Sequence, residues 1–176
     1  DPLEVDCCAY WADTFEFELS SAQIVPWRSA VGVPWDWAGT IPGNVLDGID
    51  DLETVAPSAS DFDDLLDLAA IYAPDILAGT VPPDVYFEFL ANGSLVDTSL
   101  VQDNTYEPIW NWSSTYVLGP SDLVSFEFFD EDLVLDDAVG AIDMTLLDHQ
   151  IWAGRGPLSI GPVDGLYRVF WEITPQ

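Results

Sequence analysis

The sequence predicts an all-β chain, an antiparallel sandwich of eight strands that carries a small α-helical insertion over about residues 40–82. Three observations predict it. Short runs alternate apolar and polar residues with a period of two, turn residues divide them at sandwich spacing, and one stretch switches to the helical period.

The first run is Phe15-Glu-Phe-Glu-Leu19, which puts Phe15, Phe17 and Leu19 on one face and continues to Ile24 and Val25. Pro26, Gly32, Pro34, Gly39, Pro42 and Gly43 then interrupt regular structure. Val45, Leu46, Ile49 and Leu52 follow a short helical pattern. Ser58 or Ser60, ahead of Asp61, Asp63 and Asp64, signals a second helix start, with acids at the positive end of its dipole. Phe62, Leu65, Leu66, Ala69, Tyr72 and Ala73 keep the helical spacing until Pro74 stops it. Beyond Pro82-Pro83 strands resume at 85–90, 95–102, 109–116, 123–129, 139–146 and 167–173. Asn92-Gly93, Gly119-Pro120 and Asp164-Gly165 are the turn signals between them. Residues 1–12 read as an arm and 13–176 as the sandwich domain.

The composition excludes several functions. Among 176 residues, 32 acids face three Arg, no Lys and one His, a formal net charge of −29. Such charge suggests disorder, yet 49% of residues are hydrophobic and 13% aromatic, against the composition of disordered chains. Three Arg cannot neutralise a nucleic-acid backbone, nor form a basic patch for an anionic membrane. No apolar run reaches the roughly 20 residues of a membrane-spanning helix. The acids comprise 23 Asp and nine Glu. Glu serves solubility as well as Asp does, whereas the short Asp side chain suits turns, caps and calcium loops.

The only cysteines are the neighbours Cys7 and Cys8. Adjacent Cα atoms lie about 3.8 Å apart, too close for an unstrained disulfide. Free thiols and bonds to other copies of the chain both remain, and unpaired cysteines in an exported protein point to intermolecular pairing. The expectation is therefore an intermolecular disulfide through Cys7 and Cys8, in an extracellular or cell-surface protein. The composition suggests a bacterial source.

The segment with the clearest chemistry is Phe128-Phe-Asp130-Glu-Asp132-Leu-Val-Leu-Asp136-Asp137-Ala-Val-Gly140. A strand runs into five acids within eight residues. Carboxylates so crowded raise each other's pKa, so they need a cation or full exposure. Ca²⁺ takes six to eight oxygen ligands, and alternate Asp residues after a strand supply several. An EF-hand loop fails, because Leu135 and Ala141 stand where Gly and Glu are required.

Three segments resemble the C2 domain, the calcium-binding β-sandwich family of synaptotagmins and protein kinase C. Pro83-Asp84-Val-Tyr-Phe-Glu-Phe resembles its "DPYV" strand. Residues 101–111, with Pro108, Trp110 and Asn111, resemble its "NTLNPVWNE" segment, Glu107 replacing the usual Asn. Residues 124–140 resemble "LxxxVxDxDxxxxDdxIG". The resemblance implies calcium ligands at Asp84, Asp130, Asp132 and Asp137. The remaining first-loop ligand is either Asp36, between Trp35 and Trp37, or Asp75. Asp36 is preferred, because 15–25 alternates like the preceding strand whereas 61–73 has helix caps and period. The helical insertion then lies in the first calcium loop. The family's basic strand face is missing, which weakens any phosphoinositide binding.

No nucleophile elbow occurs, and His149 has no nucleophile neighbour in sequence, so the expectation is a binding domain rather than an enzyme. Trp110 and Trp171 are expected in the core, and Trp35 and Trp37, which flank Asp36, are expected to pack on the core side. The functional expectation is an exported calcium-binding subunit with a structural role, joined to other copies through its arm. The alternative is a monomeric calcium-dependent module that recognises lipid or carbohydrate.

Overall fold

The computed structural model describes residues 14–28, 33–36, 40–79, 81–119, 121–132, 136–145 and 165–176. The alternating run at the start of the domain forms β1 (Thr14–Ile24). It lies between β6 (Ile109–Val117) and β9 (Leu166–Pro175), antiparallel to both. The second sheet, also antiparallel, runs in the order β5 (Ser94–Thr98), β4 (Val85–Ala91), β7 (Leu123–Asp130), β8 (Asp137–Thr145). A two-residue ribbon, β2 (Trp27–Arg28) with β3 (Val33–Pro34), precedes the helices. These are α1 (Gly43–Val55), a 3-10 turn at Ala56–Ser58, α2 (Phe62–Tyr72) and α3 (Pro74–Gly79).

Period two explains the core. Phe15, Phe17 and Leu19 of β1 face Val85, Phe87 and Phe89 of β4 and Val124, Phe126 and Phe128 of β7, all buried in one cluster. Phe17 meets Phe89 across the sheets at 5.1 Å between ring centres, and Phe87 takes Trp110 and Trp112 edge-on at 5.1 and 5.4 Å. Burial of each large apolar side chain contributes about 1.5–3 kcal/mol. Trp35 is fully buried, while Trp110 and Trp171 are partly buried against this core, as expected.

The helices close a second core. Val45, Ile49 and Leu52 of α1, Phe62, Leu65 and Ala69 of α2 and Ile76 of α3 bury Val25 and Trp27. The Trp27 Nε1–H donates to Glu53 Oε1 at 3.1 Å, tying the ribbon to α1. Asp61 caps α2 by accepting the Asp64 N–H at 2.9 Å.

Besides the ribbon and shifts of one or two residues at strand ends, the structure departs from the expected boundaries at Pro74 and at Ser99. Pro74 ends α2 but also opens a third helix, because its fixed φ and missing N–H suit a first helical position. The strand expected over 95–102 stops at Thr98. There Ser99 Oγ accepts the Phe87 N–H at 2.9 Å, so a side chain replaces the next ladder carbonyl. The Ser99 N–H still donates to the Phe87 carbonyl at 2.9 Å, and an isolated bridge between Gln102 and Val85 lies beyond it. The Asn92-Gly93 turn is as expected, with φ of 52° and 73°. The arm at 1–12 with Cys7 and Cys8, along with Trp37 and His149, lies outside the described residues. Among those described, no helix is long and apolar enough to cross a membrane.

Candidate metal centre

Strand β7 carries Val124, Phe126 and Phe128 on its inward face, and the same period puts Asp130 inward at the strand's last position. A carboxylate therefore occupies a core position at one end of the sandwich, only 1% exposed. Its Oδ1 accepts the Asp84 N–H at 2.7 Å, and the Asp84 carbonyl accepts the Glu131 N–H at 2.8 Å. The start of β4 and the end of β7 are thus clamped together.

Asp36 reaches the same point from a distant part of the chain. Its neighbour Trp35 is fully buried and donates its Nε1–H to the Val25 carbonyl at 2.7 Å. Gly165 leaves room for that ring, since a Cβ there would lie 2.8 Å from Trp35 Cζ2. With Trp35 anchored, Asp36 turns outward at a φ of 43°, a left-handed conformation that Asp tolerates better than most residues.

Carboxylate oxygens of Asp36, Asp130 and Asp132 all lie within 4.8 Å of one another. Burial first, then the charges of Asp36, Asp132 and Asp84, push the Asp130 carboxyl up to about 7 against the pull of the Asp84 N–H. Asp84 flanks this group, its Oδ1 accepting the Asn104 N–H at 2.6 Å. Asp137 opens β8 directly opposite Asp130 in the β7–β8 ladder. Asp75 sits in the first turn of α3 and accepts from Asn44 Nδ2 at 2.9 Å, outside the three-carboxylate group.

Sequence reasoning missed the supports of this group. Asp136 accepts the Tyr86 hydroxyl at 2.7 Å and the Asp132 N–H at 3.1 Å, so its two oxygens tie Tyr86 and Asp132 to the residue before β8. Burial and the Asp136 carboxylate push the Tyr86 phenol well above its ordinary value. Nothing in the acid run separates Asp136 from its neighbours, and Tyr86 belongs to another strand. Asn104, whose N–H holds Asp84, has a φ of 51° that marks a tight loop. The group suits a hard divalent cation, because its side-chain donors are all carboxylate oxygens and no ammonium or guanidinium is among them.

No protein-family model matches the sequence, and no curated protein is significantly similar to it. Solved structures are similar in fold. Human GIVD cytosolic phospholipase A2, in complex with methyl gamma-linolenyl fluorophosphonate, superposes with a TM-score of 0.50 at 11% identity. The match covers 93% of this chain but 17% of the phospholipase. A structure described as a C2 domain gives 0.48 at 11% identity, covering 92% of this chain and 97% of that one. The calcium-bound pair of C2 domains from extended synaptotagmin 2 gives 0.48 at 15%, covering 91% and 45%. The chain spans only a small part of the phospholipase, and it folds as a C2-like β-sandwich.

Proposed function

We propose that this domain binds Ca²⁺ at the loop end of the sandwich, through Asp36, Asp130 and Asp132 with Asp84 and Asp137 beside them. One observation carries the reading. Three carboxylates from two distant segments converge within 4.8 Å, and the central one, Asp130, is buried. A bound divalent cation would offset that repulsion, and carboxylate with backbone oxygens can supply the six to eight ligands of Ca²⁺.

The wider reading is an exported, non-enzymatic subunit with a structural role at a cell surface, linked to other copies through Cys7 and Cys8. Its support is compositional: two adjacent cysteines with no other in the chain, and a charge of −29 that a calcium-rich exterior would screen. A ladder of bands on a non-reducing gel supports the linkage. A single monomer band overturns it.

Thermal melts in excess Ca²⁺ and in EGTA test the site. At a hundredfold excess over Kd, calcium stabilises by about 2.7 kcal/mol, a rise of about 5–10 °C for a chain this size. Asp130→Asn should remove most of that rise. A wild-type midpoint indifferent to calcium overturns the assignment.

A further inference from the structure

A second site lies between the end of β5 and the edge strand β6, where the chain forms a cleft of about 430 Å³. Five of the residues that line it, Thr98, Ser99, Gln102, Asn111 and Ser113, carry neutral hydrogen-bonding side chains. Ser99 Oγ is occupied, accepting the Phe87 N–H and donating to the Leu100 carbonyl, whereas the other four side chains make no hydrogen bond within the described residues. The cleft is also lined by Trp110 and Trp112, whose indoles are fixed by their own N–H groups. Trp110 donates to the Leu100 carbonyl and Trp112 to Asp97 Oδ2, each at 2.9 Å.

Two further features set the cleft apart. No Asp, Glu, Lys or Arg lines the cleft itself among the described residues, in a chain where 20% of residues are charged. The acid beside Asn111 and Ser113 is Glu18, opposite Ser113 in the β1–β6 ladder. In addition, the β1–β6 register shifts between Leu19 and Ser21, opposite Trp110 and Asn111. Asn111 there holds a φ of 49°. A bulge of this kind re-aims a side chain and breaks a strand edge. The irregular edge disfavours an added peptide strand, while the uncommitted amides and hydroxyls beside fixed indoles suit a ligand with many hydroxyls and no charge.

We infer that the β5–β6 cleft binds a neutral oligosaccharide, with sugar faces against Trp110 and Trp112 and sugar hydroxyls on Gln102, Asn111, Thr98 and Ser113. The site is independent of the carboxylate group at the loop end.

Isothermal titration calorimetry in EGTA, with hexasaccharides of β-1,4-glucan, α-1,4-glucan and mannan, tests it. At least one should bind, and Gln102→Leu and Asn111→Gly should each weaken it about tenfold, the loss of one to two hydrogen bonds. Gly accepts the left-handed backbone at position 111, so the melting midpoint of Asn111→Gly should hold. Trp112→Ala is the harsher variant, and wild-type-like binding in a folded Trp112→Ala protein would count against the cleft. The inference is overturned if no neutral hexasaccharide binds at millimolar concentration. Binding that needs calcium, or that survives both polar substitutions, overturns it equally.

Discussion

Nine acids occupy residues 43–79 and five occupy 130–137, yet the two regions use them in opposite ways. Every acid of the helical region is exposed, and Asp61 and Asp64 serve the start of α2. At the loop end, Asp130 is buried and two more carboxylates crowd it. Acid density along the chain therefore does not mark a site. What distinguishes the loop end is convergence: a buried tryptophan sets Asp36 beside a strand that places Asp130 on its inward face.

The largest break in this comparison comes from removing the anchor. Trp35→Ala should cost about 3–5 kcal/mol, as expected for truncating a fully buried aromatic. It should also abolish the calcium response, because the left-handed turn at Asp36 loses its support. Chemical denaturation checks the first effect and melts with calcium the second. A variant that loses stability but keeps the full calcium shift would show that Trp35 does not position Asp36.

A second and smaller effect concerns pH. The folded Asp130 carboxyl, at about 7, lies above its ordinary 3.8. Between these values the folded state holds more protons than the unfolded one, so stability without calcium falls as pH rises from about 4 through 7. It should level off above that range. Asp130→Asn removes this component, and its stability profile in EGTA should be flatter over the same window. With calcium the sense reverses, since protons compete for the carboxylate and the calcium-dependent rise should shrink as pH falls through 7. Parallel profiles for the wild type and Asp130→Asn would show that Asp130 is not the titrating group.

Much of this was readable in the sequence, for local reasons. Phe15 to Leu19 alternates and forms a strand; Asp61 to Ala73 has a cap and helical spacing and forms a helix. Asp130 is legible as the first acid after a strand, while its inward direction follows from β7 running one residue past the expected end. The choice between Asp36 and Asp75 depends on how the chain returns to the sheet after the ribbon, which no local pattern encodes. The bracing of Asp136 by Tyr86, the early end of β5 and the cleft at Asn111 depend on contacts between strands distant in sequence. No local period or propensity encodes such contacts.

The smallest effect lies on the other side of the comparison. Asp61→Ala removes the N-cap bond to the Asp64 N–H and should cost about 1 kcal/mol, a fall of about 2–4 °C in midpoint. Because α2 packs in the helical core, away from the three-carboxylate group, the calcium-dependent rise should be unchanged. Asp130→Asn should do the reverse, losing the calcium rise while its midpoint in EGTA holds or increases near neutral pH. The two single substitutions, each removing one carboxyl group, thus separate an acid that stabilises a helix from one that a cation must neutralise. If Asp61→Ala also diminishes the calcium rise, the response comes from diffuse screening of the −29 surface rather than from the loop-end site. Substituting Mg²⁺ at equal ionic strength decides that case, since diffuse screening does not distinguish the two ions whereas a flexible cage of carboxylates favours the larger one.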